Sequence, residues 1–212
     1  MTRIIICDDH KIVREGLKQI VGVFPEFDVV GEAESAEALL QVLRKNETEL
    51  LILDVSLPGR SGLEVIKQIR ASYPEIRVLV LSMFPEDQFA IRMLKAGASG
   101  YLHKDSAPDV LHEALTTIAQ GGEYLSPTIS QLLYRQMHSN ASELPHTTLS
   151  DREFEVMLYI GEGKSISDIA RQLSLSVKTI STYRSRILEK MALDNNSDLV
   201  KYIMIHELAY NN

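Results

Sequence analysis

Cysteine is nearly absent from this chain. Cys7 stands alone among 212 residues, so no internal disulfide can form and no thiolate cluster can bind a metal. It closes the apolar run Ile4-Ile5-Ile6-Cys7, and such a free cysteine reads as a small buried hydrophobe rather than a reactive thiol. Long apolar runs are missing too. They are short wherever they occur, as at Val78–Leu81, against the roughly 20 residues that a membrane-spanning helix needs, so no membrane partner is expected. Arg3 leads through Ile4-Ile5-Ile6 straight into Asp8-Asp9. That interrupts any signal-peptide core after a few residues, and a cytoplasmic location is the expectation.

Several enzyme signatures are also missing. The six histidines include no pair at metal-ligand spacing, and His10 reads as a local structural residue. There is no Ser-His-Asp order, no glycine-rich dinucleotide fingerprint, no internal repeat and no extended low-complexity tract. Gly163-Lys164-Ser165 looks like the end of a phosphate-binding loop, but position 158 holds Leu158 in place of the first glycine and no strand precedes it, which excludes ATP binding there.

What is present suits a folded chain of one large or two ordinary domains: 45% hydrophobic and 24% charged residues. The net charge of −7 is unevenly spread. Up to Leu125 there are 13 Lys/Arg against 19 Asp/Glu; from Leu149 onward the balance is 8 against 9. Within that tail, Val177–Met191 carries Lys178, Arg184, Arg186 and Lys190 against Glu189 alone. DNA binding needs positive charge only where phosphates come close. The acidic part repels DNA, so any binding face belongs to the tail.

Along the first 120 or so residues, strand-like runs (Ile4–Cys7, Asp28–Gly31, Leu50–Leu53, Val78–Leu81, Gly100–Leu102) alternate with helically spaced segments (Ile12–Val21, Ala36–Leu43, Leu63–Ile69, Phe89–Leu94, Val110–Ile118). This predicts a five-stranded parallel sheet with helices on both faces, its ligand site at the carboxyl ends of the strands. The pattern breaks after Gly121-Gly122, where Pro127, Pro145 and the polar run 138–142 predict a linker with a short helix near 129–137. Beyond it the periodicity is purely helical. Ser150-x-x-Glu153 and Ser165-x-x-Asp168 fit capping boxes and Ser176 a third N-cap, with helices expected near 151–162, 167–173, 177–191 and 197–208. The expected layout is a first domain over 1–122, a linker over 123–147 and a small all-α domain over 148–212.

Chemistry gathers at the predicted strand ends. Asp8 and Asp9 follow the first strand, Asp54 the third; Ser82 closes the fourth and Lys104 follows the fifth. Each alone reads as a turn former, a cap or a solvated charge. Together they make a different site. Clustered carboxylates repel one another without a cation, and an all-oxygen donor set suits Mg²⁺. An ammonium and a hydroxyl beside them complete a place for a phosphoryl group.

Residues 1 to about 120 resemble the receiver domains of response regulators. The matching stretches are Cys7-Asp8-Asp9-His10, Leu53-Asp54-Val55-Ser56-Leu57-Pro58-Gly59, Gly62-Leu63, Leu81-Ser82 and Gly100-Tyr101-Leu102-His103-Lys104. The resemblance implies a flavodoxin-like fold and makes Asp54 the phosphoacceptor. Asp9, Asp54 and the Ser56 carbonyl would bind Mg²⁺ directly, and Asp8 through water. Lys104 would pair with the phosphoryl group, Ser82 would hydrogen-bond it, and Tyr101 would be either the switch aromatic that follows inward or a packed edge residue. No catalytic residue of an enzyme proper is implied, at most slow self-dephosphorylation. Phe84 would guard the phosphoryl group from water or simply pack against the next helix. Met83 and Asp105 depart from the small residue and the proline that many receivers carry at these positions. A haloacid-dehalogenase-like phosphohydrolase is disfavoured, because its second Asp would fall at position 56, which is Ser56.

The tail reads helix, Ser174-Leu175-Ser176, longer helix, the form of a helix-turn-helix. On an ideal wheel Val177, Tyr183, Ile187, Leu188 and Met191 lie within about 80° of Ile180. Lys178, Ser181, Thr182, Ser185 and Glu189 face away, with Thr179 and Arg186 on one flank, while Arg184 falls on the apolar side. The outward face suits a major groove. Leu149–Leu208 is similar to the LuxR-type domain of NarL/FixJ regulators, through Leu149-Ser150-Asp151-Arg152-Glu153, Gly163-Lys164-Ser165, Asp168-Ile169-Ala170, Leu175–Ile180 and Ile187–Met191. That resemblance implies DNA contacts by Lys178, Thr179, Ser181, Thr182, Ser185 and Arg186. Tyr183, where the family often has histidine, is expected to be a half-buried structural ring. Val200, Ile203 and Met204 of the last helix would form either a dimer contact or intradomain core. The implied partners are a sensor histidine kinase, double-stranded promoter DNA and, in the active form, a second copy. A protein adaptor that never touches DNA would lack salt-sensitive duplex binding; a quorum-sensing regulator would need a ligand pocket in place of the receiver.

Overall fold

The computed structural model describes residues 1–58, 60–84, 86–106, 108–138, 144–206 and 208. Gly59 of the third-strand motif, most of the polar linker run and Glu207 of the expected last helix lie outside the described residues. The chain divides into two compact units, 1–137 and 138–212.

The first unit alternates β1 (Thr2–Cys7), α1 (Lys11–Val21), β2 (Phe27–Ala33), α2 (Ala36–Leu43), β3 (Leu50–Asp54), α3 (Gly62–Ser72), β4 (Arg77–Ser82), α4 (Glu86–Ala96), β5 (Gly100–His103) and α5 (Pro108–Ala119). All five strands are parallel, in the order β2-β1-β3-β4-β5. Every residue of β3 is buried, as expected for a central strand covered on both faces. On one face Ile4, Ile6, Ile52, Leu79 and Leu102 pack with Leu17 and Val21 of α1 and Leu111, Leu115 and Ile118 of α5. The order reverses at β1: β2 lies on one side of it, β3 on the other. Cys7 pairs with Leu53 across that switch point, so Asp8 and Asp54, one residue further on, emerge side by side where such sheets bind ligands. Cys7 itself is fully buried, and burial together with Asp54 and Asp8 pushes its thiol pKa upward.

The helix expected inside the linker spans Pro127–His138 (α6) and packs as part of the first unit, which runs past 122. Tyr124 N–H donates to Ser99 O at 2.8 Å, beside the edge strand β5. Ser126 then caps α6 by accepting from Ile129 N–H, donates to the Glu86 carboxylate, and Ile129 is fully buried. These contacts were unreadable from a segment whose local signals are Gly-Gly and proline.

The second unit holds a short 3₁₀ turn (Pro145–Thr148), α7 (Asp151–Gly161), α8 (Ile166–Gln172), α9 (Val177–Lys190) and α10 (Asn196–Ile205). The three serines are the predicted N-caps: Ser150 and Glu153 form a full capping box, and Ser176 accepts from Thr179 N–H. At the second expected box, Ser165 accepts from Asp168 N–H, whereas the Asp168 carboxylate takes the Ser165 hydroxyl. Ser174 adopts φ +52°, a left-handed turn between α8 and α9. Such a conformation strains a residue with a side chain, but Leu175 N–H donates to Ala170 O at 2.8 Å and closes the turn. Ile180, Ile187, Leu188 and Met191 are buried as the wheel requires; Val177 is not, being 50% exposed. It occupies the first turn of α9, ahead of the section that packs. α10 divides its apolar residues: Leu199 and Ile203 are core, whereas Met204 and Ile205 stand in solvent.

Candidate functional site

The strand ends of the first unit bring Asp8, Asp54 and Lys104 into direct contact. Lys104 Nζ donates to Asp8 Oδ2 at 2.6 Å and to Asp54 Oδ2 at 2.7 Å. Both aspartates are 2% exposed. Burial pushes the Asp54 carboxyl pKa up and Asp8 adds to this, partly offset by Lys104. For Lys104, burial alone would lower the pKa, but Asp54 and Asp8 outweigh it and hold the ammonium charged. Carboxylate oxygens of Asp8, Asp9 and Asp54 and a ring nitrogen of His10 lie within 4.8 Å of one another. The Asp9 side chain remains partly open to solvent. This oxygen-rich, acidic cluster fits a hard divalent cation.

The loops after β3 and β4 shape the rim. Ser56 N–H donates to Asp54 Oδ1 at 3.2 Å. Ser82 Oγ, fully buried, accepts from Phe84 N–H at 3.0 Å. Tyr101 is also fully buried, and its hydroxyl donates to Phe84 O at 2.6 Å. The Phe84 ring is 1% exposed and stacks on Phe89 of α4 with centroids 4.4 Å apart. Phe84 thus packs against the next helix, which is one of the two roles expected of it.

Two partners of Asp8 were missed by sequence reasoning. His10 N–H donates to Asp8 Oδ1 at 2.8 Å, and the buried Arg14 donates through Nη1 to Asp8 O at 2.7 Å. Arg14 carried a legible signal. It shares a helical stripe with Leu17 and Val21, all buried, and a charge on such a stripe calls for a partner.

On α9, Lys178, Ser181, Thr182, Ser185 and Arg186 are exposed and Thr179 is half-buried. Ser181, Thr182 and Ser185 hydroxyls bond back to Val177 O, Lys178 O and Ser181 O, a pattern open to hydroxyls on an exposed helix face. Ser176, Lys178, Thr179, Thr182, Tyr183 and Arg186 border one shallow concavity. Tyr183 is half-buried as expected. Arg184, ambiguous on the wheel, donates through Nε to Asn196 Oδ1 at 2.5 Å and ties α9 to the start of α10. No helix among the described residues is long and apolar enough to cross a membrane.

Comparison with known proteins agrees with this geometry. Residues 4–116 match the family described as response regulator receiver domain, and 147–203 match the bacterial regulatory proteins of the luxR family. The chain is 34% identical over 209 residues to the response regulator GacA of Pseudomonas protegens, covering 99% of this chain and 98% of that protein. It is 32% identical over 210 residues to the response regulator UvrY of Escherichia coli K12, covering 99% and 96%. Among solved structures, RcsB of Salmonella enterica serovar Typhimurium, bound to promoter rprA in the presence of the phosphomimetic BeF3⁻, aligns with a TM-score of 0.67 and 30% identity. That alignment covers 96% of this chain and 98% of the other. With a receiver domain followed by a LuxR-type domain, the chain belongs to the NarL/FixJ family of response regulators.

Proposed function

We propose that this protein is a phosphorylation-dependent transcriptional regulator that accepts a phosphoryl group on Asp54 from a sensor histidine kinase and thereby controls dimerisation and promoter binding. The observation that carries the reading is the bridge from Lys104 Nζ to both Asp54 and Asp8 at the carboxyl ends of the strands. An Asp54 carboxylate oxygen forms the new P–O bond as the P–N bond of the kinase phosphohistidine breaks, and the histidine nitrogen takes a proton. Lys104, already charged, turns from the carboxylates to the arriving phosphoryl oxygens, and the Ser82 hydroxyl donates to another. Asp8, Asp9, Asp54 and the Ser56 carbonyl would hold Mg²⁺, which supplies neutralising charge to the phosphoryl oxygens. Tyr101 reports the state of the loop through its bond to Phe84 O.

In this reading the receiver comprises residues 1–122, with α6 and the polar run as the connection to the DNA-binding domain over 148–212. Lys178 and Arg186 meet phosphates, and Thr179, Ser181, Thr182 and Ser185 stand nearest the base edges. The active form is a homodimer acting in the cytoplasm on double-stranded DNA, with half-sites about one helical turn apart. RcsB bound to promoter DNA in the presence of the phosphomimetic supports this assignment by similarity. Self-dephosphorylation is slow, because neither Met83 nor Phe84 offers a polar group to align a water.

The test is mass measurement after incubation with Mg²⁺ and a small phosphodonor. The wild type gains one base-labile phosphoryl group, and Asp54→Asn or removal of Mg²⁺ abolishes the gain. Comparable phosphorylation of Asp54→Asn would sink the assignment.

A further inference from the structure

Three consecutive carbonyls of the connection leaving β4 are held from the end of β5. Lys104 N–H donates to Ser82 O at 2.8 Å. His103 Nε2 lies 2.9 Å from Met83 O. Tyr101 Oη donates to Phe84 O at 2.6 Å. The first bond continues the parallel ladder, in which Ser82 pairs with His103, and the third comes from an aromatic already assigned. The middle one uses a side chain to which the site described so far gives no role.

The partners of His103 fit one tautomer of its ring. A carbonyl oxygen can only accept, so Nε2 carries the hydrogen. On the other side of the ring, Asp105 N–H points at Nδ1 from 3.3 Å, so Nδ1 offers its lone pair. The Asp105 carboxylate is further off, at 3.5 Å. A neutral imidazole protonated on Nε2 satisfies both backbone partners at once. The ring is a strut between the loop that carries Ser82 and the loop that carries Lys104.

We propose that His103 is a positioning residue for phosphoryl acceptance: by holding the Met83 carbonyl it sets the backbone between Ser82 and Phe84, and with it the direction of the Ser82 hydroxyl. This rests on Asp54 being the phosphoacceptor. Ser82 Oγ accepts from Phe84 N–H, which leaves its own hydrogen free to donate, as a phosphoryl oxygen requires. Where that hydrogen points depends on the Ser82–Phe84 backbone. Lys104 N–H fixes one end and Tyr101 the other. Between them, the hydrogen bond that the Met83 carbonyl receives among the described residues comes from His103. Without the imidazole, that carbonyl turns to water and the loop must be ordered each time the phosphoryl group is bound.

The experiment uses the full chain as wild type, His103→Leu, His103→Gln and Asp54→Asn. It measures affinity for the phosphoryl mimic beryllium trifluoride with Mg²⁺ and the phosphorylation rate with acetyl phosphate. His103→Leu should weaken mimic binding about 3- to 10-fold, the equivalent of one ordinary hydrogen bond, and slow phosphorylation. His103→Gln, whose Nε2 can donate to the same carbonyl, should recover most of both. Wild-type imidazole nitrogen shifts should report the Nε2–H tautomer for His103. Unchanged affinity in the Leu variant, an equal loss in Leu and Gln variants, or an Nδ1–H tautomer each overturns the proposal. Normal mimic binding by Asp54→Asn would instead overturn the phosphoacceptor assignment, so the two failures are distinct.

Discussion

Lys104 Nζ lies 2.7 Å from Asp54 Oδ2 although 50 residues separate them in the chain. The same ammonium reaches Asp8 Oδ2 at 2.6 Å, so one positive charge offsets two buried carboxylates. Removing it leaves like charges side by side with little water to screen them.

Lys104→Met should therefore destabilise the first unit, by about 3 kcal/mol if it behaves as a buried ion pair stripped of one partner. Mg²⁺ in the millimolar range should return part of that loss, because a cation between the carboxylates replaces the missing charge. Urea denaturation with and without Mg²⁺ measures both effects. A variant as stable as wild type in chelator would show that Lys104 does not carry the balance of charge.

On α9, two basic positions should behave differently toward DNA. Lys178→Ala should weaken duplex binding across sequences and reduce the salt slope by about 0.9, the share of a single neutralised phosphate. Arg184→Ala should leave the slope unchanged, because its guanidinium serves Asn196, and lower the stability of the second unit by about 1.5 kcal/mol. Substitutions at Thr182 or Ser185 should change sequence preference instead. Salt titrations of binding separate these cases; a reduced slope for Arg184→Ala would move it into the interface.

Glu153 links acid stability to the second unit. Its carboxylate accepts from Ser150 N–H at 2.8 Å and from Lys190 Nζ at 2.6 Å. Burial alone would raise its pKa, but the bonds from Lys190 and Ser150 outweigh burial and lower it. A lowered folded pKa means the stabilisation is complete above the unfolded value, about 4.3, and disappears as pH falls through the folded one. Glu153→Gln should be less stable than wild type at neutral pH, with the difference shrinking as pH drops below about 4. Parallel melting curves across that range would remove Glu153 from the acid limb.

Phe84 should bear on stability more than on lifetime. Its ring is 1% exposed against Phe89, so Phe84→Ala should cost about 3–5 kcal/mol by cavity formation and Phe84→Leu much less. The decay rate of phosphorylated Phe84→Leu should match wild type. Decay several-fold faster in that variant would restore the ring as a barrier to water.

The sequence by itself determined the order of elements and the residues gathered at the strand ends. Alternation of period is local: each strand run and each Ser-x-x-acid cap acts within a few residues. The strand-end rule then converts strand order into a set of facing residues, which is why Asp8, Asp54 and Lys104 were legible. Tertiary structure decided the rest, because it concerned which partner a side chain meets, and no local pattern names that partner. Nothing local tells that Arg14 would bond Asp8 O, that Arg184 would find Asn196, or that α6 would pack on the first unit through Ser126 and Glu86. Helical periodicity says which face of α9 is apolar, but not how far its partners extend, so Val177 reads as core and stands in solvent. The strut from His103 to Met83 was equally hidden: a side chain meets a backbone carbonyl, and a carbonyl has no signature in sequence.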